Sequence, residues 1–137
     1  MKIFVDTSAF IALFVTSEQY HRQVVEKYRE YTQENAFFFT NNFVLGELYT
    51  RLLYYFDKRR CKRIIEKVRE LDNDKKLRIF DIDQVLFSKA ETAFLKFAEH
   101  KLSMTDATIY ICVKAFKMDA VFTLDSDFPK IGLTASF

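Results

Sequence analysis

Glycine and proline are almost missing from this chain: glycine stands only at Gly46 and Gly132, and proline only at Pro129. No glycine-rich loop is therefore available to cradle a nucleotide's phosphates, since neither Gly-x-x-x-x-Gly-Lys nor Gly-x-Gly-x-x-Gly occurs. The same scarcity argues against disorder, repeats and long linkers. Cysteine is as sparse: Cys61 and Cys112 are too few and too isolated for a disulfide framework or a Cys-x-x-Cys zinc site, and a reducing cytoplasm is the natural setting. His21 and His100 lie far apart without ligand-spaced partners, which disfavours zinc. An excess of one charge is also lacking. With a formal net charge of +2, only a local patch, not the global balance, can point to nucleic acid. No apolar run approaches the roughly 20 residues that span a bilayer as a helix. The apolar start from Ile3 to Val15 is interrupted by Asp6 and followed by no small-residue cleavage site, so a soluble, unexported protein is expected.

What is present is apolar bulk. Half of the 137 residues are apolar, sixteen of them Phe. A single helix-rich domain over 1–137 can bury a core of this size without disulfide or structural metal. Short apolar runs at Ile3–Val5, Ala36–Thr40, Leu77–Phe80 and Ala120–Leu124 read as strands, with a possible edge strand at Ile131–Thr134. Helical patterns lie between them: Ser8–Val15, then a helix capped by Thr16-x-x-Gln19 that carries Tyr20, Val24, Tyr28 and Tyr31 to about Glu34. Asn41 or Asn42 caps a helix through Phe56, and another starts near Asp57 with Cys61, Ile64, Ile65, Val68 and Leu71 on one face. Asp81-x-x-Gln84 opens a helix to about His100, and Ser103 starts the last, ending near Met118. Asp127-Phe128-Pro129 reads as loop. Strands alternating with helices give an α/β fold, a mostly parallel sheet covered on both faces.

Two of these strands stop on carboxylates. Ile3–Val5 delivers Asp6, followed by Thr7 and Ser8, and Ala120–Leu124 delivers Asp125, at the sheet edge where open α/β folds bind ligands. Asp6 also reads as a helix N-cap. Two helices carry an acid beside the apolar face. Glu47 borders Val44, Leu48 and Leu52, next to Gly46, where another backbone can approach closely. Asp106 shares a face with Ile109, Tyr110 and Val113. Each has a plain structural alternative: an exposed pair with Arg51 for Glu47, and the capping box Ser103-x-x-Asp106 for Asp106.

If the four acids converge, repulsion decides the chemistry. Two unit charges about 4 Å apart cost on the order of 4 kcal/mol at an effective dielectric near 20, so protons or cations must be shared. Oxygen-only carboxylate clusters suit Mg²⁺ or Mn²⁺. A hard cation so held lowers the pKa of a bound water and stabilises a leaving oxyanion, which is the chemistry of phosphodiester hydrolysis. Asp127 reads equally as a fifth acid or as a loop charge.

The blocks Phe4-Val5-Asp6-Thr7-Ser8, Val44-Leu45-Gly46-Glu47-Leu48, Leu102-Ser103-Met104-Thr105-Asp106-Ala107 and Thr123-Leu124-Asp125-Ser126-Asp127-Phe128 are weak singly and strong in this order. On them the chain resembles PIN-domain ribonucleases, and specifically the small VapC toxins of toxin–antitoxin pairs. The resemblance implies a three-layer α/β/α sandwich, one or two Mg²⁺ or Mn²⁺ ions, and endonucleolytic cleavage of RNA leaving 5′ phosphates. It implies metal-binding and catalytic roles for Asp6, Glu47, Asp106 and Asp125, and supporting roles for Thr7, Ser8, Thr123 and Asp127. It also implies a homodimer blocked by a cognate antitoxin. The Phe37-Phe38-Phe39 strand and the Asn41-Asn42 pair are less usual for the family.

The basic face Lys58, Arg59, Lys62 and Arg63, with Arg51 before it, is the best candidate for gripping an RNA backbone; a solvated face balanced by Glu66 and Glu70 is the alternative. Tyr49, Tyr54 and Tyr55 read as base-stacking, core or dimer residues. Three rival functions stand beside a nuclease toxin. An aspartate-nucleophile phosphatase wants a second acid where Ser8 stands. A non-catalytic module of the same fold would use its acidic pocket for a basic peptide, and an RNA-processing PIN nuclease need not be a toxin.

Overall fold

The computed structural model describes residues 1–137. Four strands, β1 (Lys2–Val5), β2 (Phe37–Asn41), β3 (Leu77–Phe80) and β4 (Ala120–Phe122), form one sheet in the order β3-β2-β1-β4. Every pairing is parallel, with Ile3 opposite both Phe38 and Ala120. Parallel neighbours need crossover connections. These are α1 (Thr7–Phe14) and α2 (His21–Gln33), then α3 (Asn42–Leu52) and α4 (Lys58–Asn73), then α5 (Gln84–Lys96) and α6 (Met104–Ala115).

Successive strand residues point to opposite faces, and β2 shows both faces covered. Phe38 packs on Tyr28 and Tyr31 of α2, whereas Phe39 stacks on Phe80, which stacks in turn on Phe116 after α6. The architecture is thus the α/β/α sandwich expected. Its core runs through Ile3, Phe4, Phe122 and Phe128, all without solvent exposure.

Several boundaries differ from the sequence reading. Thr16 caps nothing: turns occupy residues 16–20, and α2 starts after Tyr20 without a side-chain cap. Helix α3 stops at Leu52 rather than Phe56, because Leu53 (64% exposed) and Tyr54 (85%) have no apolar surface to pack on. The cap of α5 is Asp83, not Asp81: the backbone N–H of buried Ile82 donates to Asn42 Oδ1, which holds this stretch extended until Asp83 accepts from Leu86 N. Strand β4 ends at Phe122, three residues short of Asp125. Phe128–Ile131 forms a 3₁₀ turn with Pro129 near its start, where a missing N–H costs nothing. Ile131–Thr134 is not a strand; only a single parallel bridge joins Val121 to Ala135.

The chain leaves β1 towards β2 on one side and returns from β3 to β4 on the other. The crevice beyond the carboxyl ends of β1 and β4 is therefore the topological switch point, the usual ligand position in such sheets. Asp6 N donates to Phe122 O at 3.0 Å, extending the ladder to its rim.

Candidate active site

Asp6 is the first residue past β1 and is only 6% exposed. It caps α1, accepting from Thr7 N at 2.7 Å, and its second oxygen accepts from Thr123 Oγ1 at 2.8 Å. Ser8 Oγ lies 3.5 Å from that oxygen and 3.2 Å from Thr123 Oγ1. Despite these bonds, burial pushes the Asp6 pKa up to about 7, with Asp106 and Glu47 adding repulsion. The hydroxyl of the next residue, Thr7, is buried and has no partner.

The threonine and serine at this rim also organise Asp125. Thr123 Oγ1 accepts from Asp125 N at 2.9 Å, Ser8 Oγ accepts from Leu124 N at 2.9 Å, and Asp125 Oδ1 accepts from Asp127 N at 2.9 Å. One hydroxyl relay thereby joins the ends of β1 and β4.

Asp106 realises both of its readings. It closes the capping box of α6, taking Ser103 N on Oδ2 at 3.1 Å while Ser103 Oγ takes Asp106 N. Its carboxyl is nevertheless pushed up by burial, and Asp125 and Glu47 raise it further. Glu47 on α3 is half-exposed and pairs with Arg51 at 3.8 Å. Gly46 beside it meets nothing: a Cβ there would have open space, so the expected close backbone approach is absent.

Asp6, Glu47, Asp106 and Asp125 are thus close enough to act on one another's charge. They do not touch: no three or more such side chains are gathered tightly enough to hold an ion. Local partners explain the spacing, since Ser103 holds Asp106, Arg51 holds Glu47 and the Asp127 N–H holds Asp125. Asp127 meets Asp125 through its backbone N–H, while its side chain turns to a cation. Lys130 binds it at 3.0 Å and holds its carboxyl below the usual range. The donor set facing the crevice is all oxygen and carries surplus negative charge, which fits a hard divalent cation and not a soft one.

Sequence reasoning left Asn41 as one of two possible caps, and its larger role came only from the fold. Fully buried, Asn41 caps α3 through Val44 N at 2.9 Å and donates to Thr108 Oγ1 of α6 at 3.1 Å. It ties together the two helices that carry Glu47 and Asp106. A strand ending on a polar residue was its only sequence signal. The predicted RNA contacts Lys58, Arg59, Lys62 and Arg63 are all exposed on α4; Lys62 pairs with Glu66 at 3.9 Å. No helix is long and apolar enough to cross a membrane.

The family model for the PIN domain matches residues 3–133. No curated protein matches at a significant level. Among solved structures, the chain is similar to the Mycobacterium tuberculosis toxin VapC20, described as Sarcin-Ricin loop cleaving, at 24% identity and TM-score 0.81 over 96% of each chain. It is similar to VapBC2 of Rickettsia felis, solved bound to a DNA fragment from their promoter, at 16% identity and TM-score 0.66 over 98% of this chain and 97% of that one. It is also similar to FitAcB of Neisseria gonorrhoeae, at 14% identity and TM-score 0.68 over 97% and 95%.

Proposed function

The chain belongs to the PIN-domain family, and on that premise we propose that it is a divalent-cation-dependent endoribonuclease, the toxin of a toxin–antitoxin pair. The observation that carries this reading is Asp6, a carboxyl buried at the switch point, pushed up to about 7 with two further acids pressing on it. An RNA phosphate is itself an anion and is repelled from such a site unless cations intervene.

In this reading Asp6, Glu47 and Asp106 would close around Mg²⁺ or Mn²⁺ when it binds, and Asp125 would complete or position the shell. The ion, when bound, supplies Lewis-acid stabilisation of phosphoryl oxygens and lowers the pKa of a water. The chain's own residues set the stage for it. Thr7 N and Thr123 Oγ1 fix both Asp6 oxygens, Ser103 N fixes Asp106, and Asp127 N fixes Asp125. Asp6 must give up its proton to serve as a ligand, and burial keeps competing water from its carboxyl.

Lys58, Arg59, Lys62 and Arg63 grip the RNA backbone in this account, with Arg51 shared between RNA and Glu47. The likeness to VapC20, a toxin that cleaves the Sarcin-Ricin loop, supports RNA as the substrate class. A cognate antitoxin, a homodimer and a cytoplasmic setting complete the proposal, and they rest on the family resemblance.

The test is cleavage of structured and single-stranded RNAs by purified protein with Mg²⁺ or Mn²⁺. Cutting should leave 5′ phosphates, stop in EDTA, and fall at least about a hundredfold in Asp6→Asn. Full activity in the variant, or undiminished cutting in EDTA, contradicts the proposal. Wild type that neither cuts nor binds metal is the behaviour of a non-catalytic module.

A further inference from the structure

A concavity of about 410 Å³ opens between α3, α4 and the end of β3. Gly46, the neighbour of Glu47, lines it. The chemistry above makes no use of it, yet its lining is specific. Arg69 supplies a guanidinium, Asp72 and Asp81 supply carboxylates, Tyr49 lines it too, and Phe80 gives an apolar wall. None of the three charged groups takes part in an ion pair. The Tyr49 hydroxyl is buried without a hydrogen-bond partner.

Ligand classes separate on charge. A phosphate meets two carboxylates for one guanidinium, so the local field opposes it. A metal cation meets Arg69. A flat neutral group with acceptors on one edge and donors on another satisfies both kinds of lining, and the volume lies in the range of small-ligand sites, about 300–1,000 Å³. We propose that this cleft takes an unpaired guanine of the RNA, an inference that rests on the ribonuclease reading.

Guanine is favoured over the other bases by its pattern of edges. Its N7 and O6 are adjacent acceptors that a guanidinium meets with two parallel bonds, and its N2 amino group is a donor for a carboxylate. Adenine sets a donor beside N7 and calls for an Asn or Gln amide instead. The base must be unpaired, because in paired RNA N7 and O6 lie in a deep, narrow groove and N2 is engaged in pairing.

The test is binding of four labelled single-stranded heptamers, U₃XU₃ with X as G, A, C or U, to the full-length protein in EDTA, so that no cleavage intervenes. Wild type should bind the G oligomer about tenfold more tightly than the others. Arg69→Ala and, separately, Asp81→Asn should each bring that preference to within about twofold; both residues are exposed, so neither change threatens the fold. Equal binding of all four oligomers by wild type, or a guanine preference that survives both substitutions, overturns the proposal. The nuclease reading is judged apart from this. Metal-dependent cutting with no base preference removes the guanine site alone, whereas a guanine preference in a protein that never cuts removes the nuclease alone.

Discussion

Asp6 answers two demands with one carboxyl, capping α1 and presenting charge at the crevice, and the conflict shows in its titration. Burial favours its neutral form, so the folded chain keeps the proton up to about 7, while the unfolded chain releases it near 3.8. Between those values the folded state binds more protons, so this group's contribution falls as pH rises from about 4 to about 7 and is level above. Asp6→Asn removes the charged form. In EDTA the variant should be more stable than wild type at pH 8 by on the order of a few kcal/mol, with the gap closing towards pH 4. Urea denaturation at several pH values checks this, and a gap that does not change with pH contradicts it. Thr123→Val should cost about 1–3 kcal/mol, because it strands the Asp6 carboxyl, Ser8 and the Asp125 N–H at once; its measure is the same denaturation at pH 8. At this scale the sequence was informative where an acid broke an apolar run, as at Asp6, or bordered one, as at Glu47 and Asp106. It was silent on partners. Nothing in the chain shows that Lys130 takes Asp127, or that Arg69 and Tyr49 share a cleft.

Among the elements, α3 and α6 matter most, because they bring acids from distant stretches of chain to β1. Asn41 fixes their relation. Asn41→Ala removes a helix cap and leaves Thr108 without its inter-helix donor, so a loss of about 2–4 kcal/mol and a melting temperature lower by roughly 5–10 °C are expected. A calorimetric scan showing less than about 1 kcal/mol of loss would mean the link is not structural. Helix α4 makes its own prediction: if Lys62 and Arg63 contact phosphates, replacing both with Ala should flatten the dependence of log affinity for single-stranded RNA on log salt by about 1.4. An unchanged slope assigns them to a merely solvated face. Helix existence was readable from apolar spacing throughout, whereas ends were not. The stop of α3 at Leu52 depends on surface that Leu53 and Tyr54 fail to find, and the start of α5 depends on a bond from Ile82 N to Asn42. Both are tertiary facts.

For the molecule as a whole, alternation of strands and helices was enough to expect a covered parallel sheet. The strand order was not, because β3-β2-β1-β4 is set by how crossovers pack, and only that order makes the β1–β4 junction the switch point. The central claim is that a divalent cation draws the acids around that junction into one site. Mn²⁺ titration by calorimetry at pH 8, on wild type and on Asp6→Asn, measures it without needing the right RNA. The account predicts binding by wild type and affinity at least about tenfold weaker in the variant, a loss on the order of 1.4 kcal/mol or more. Equal affinity in the two proteins, or none in wild type, would contradict it.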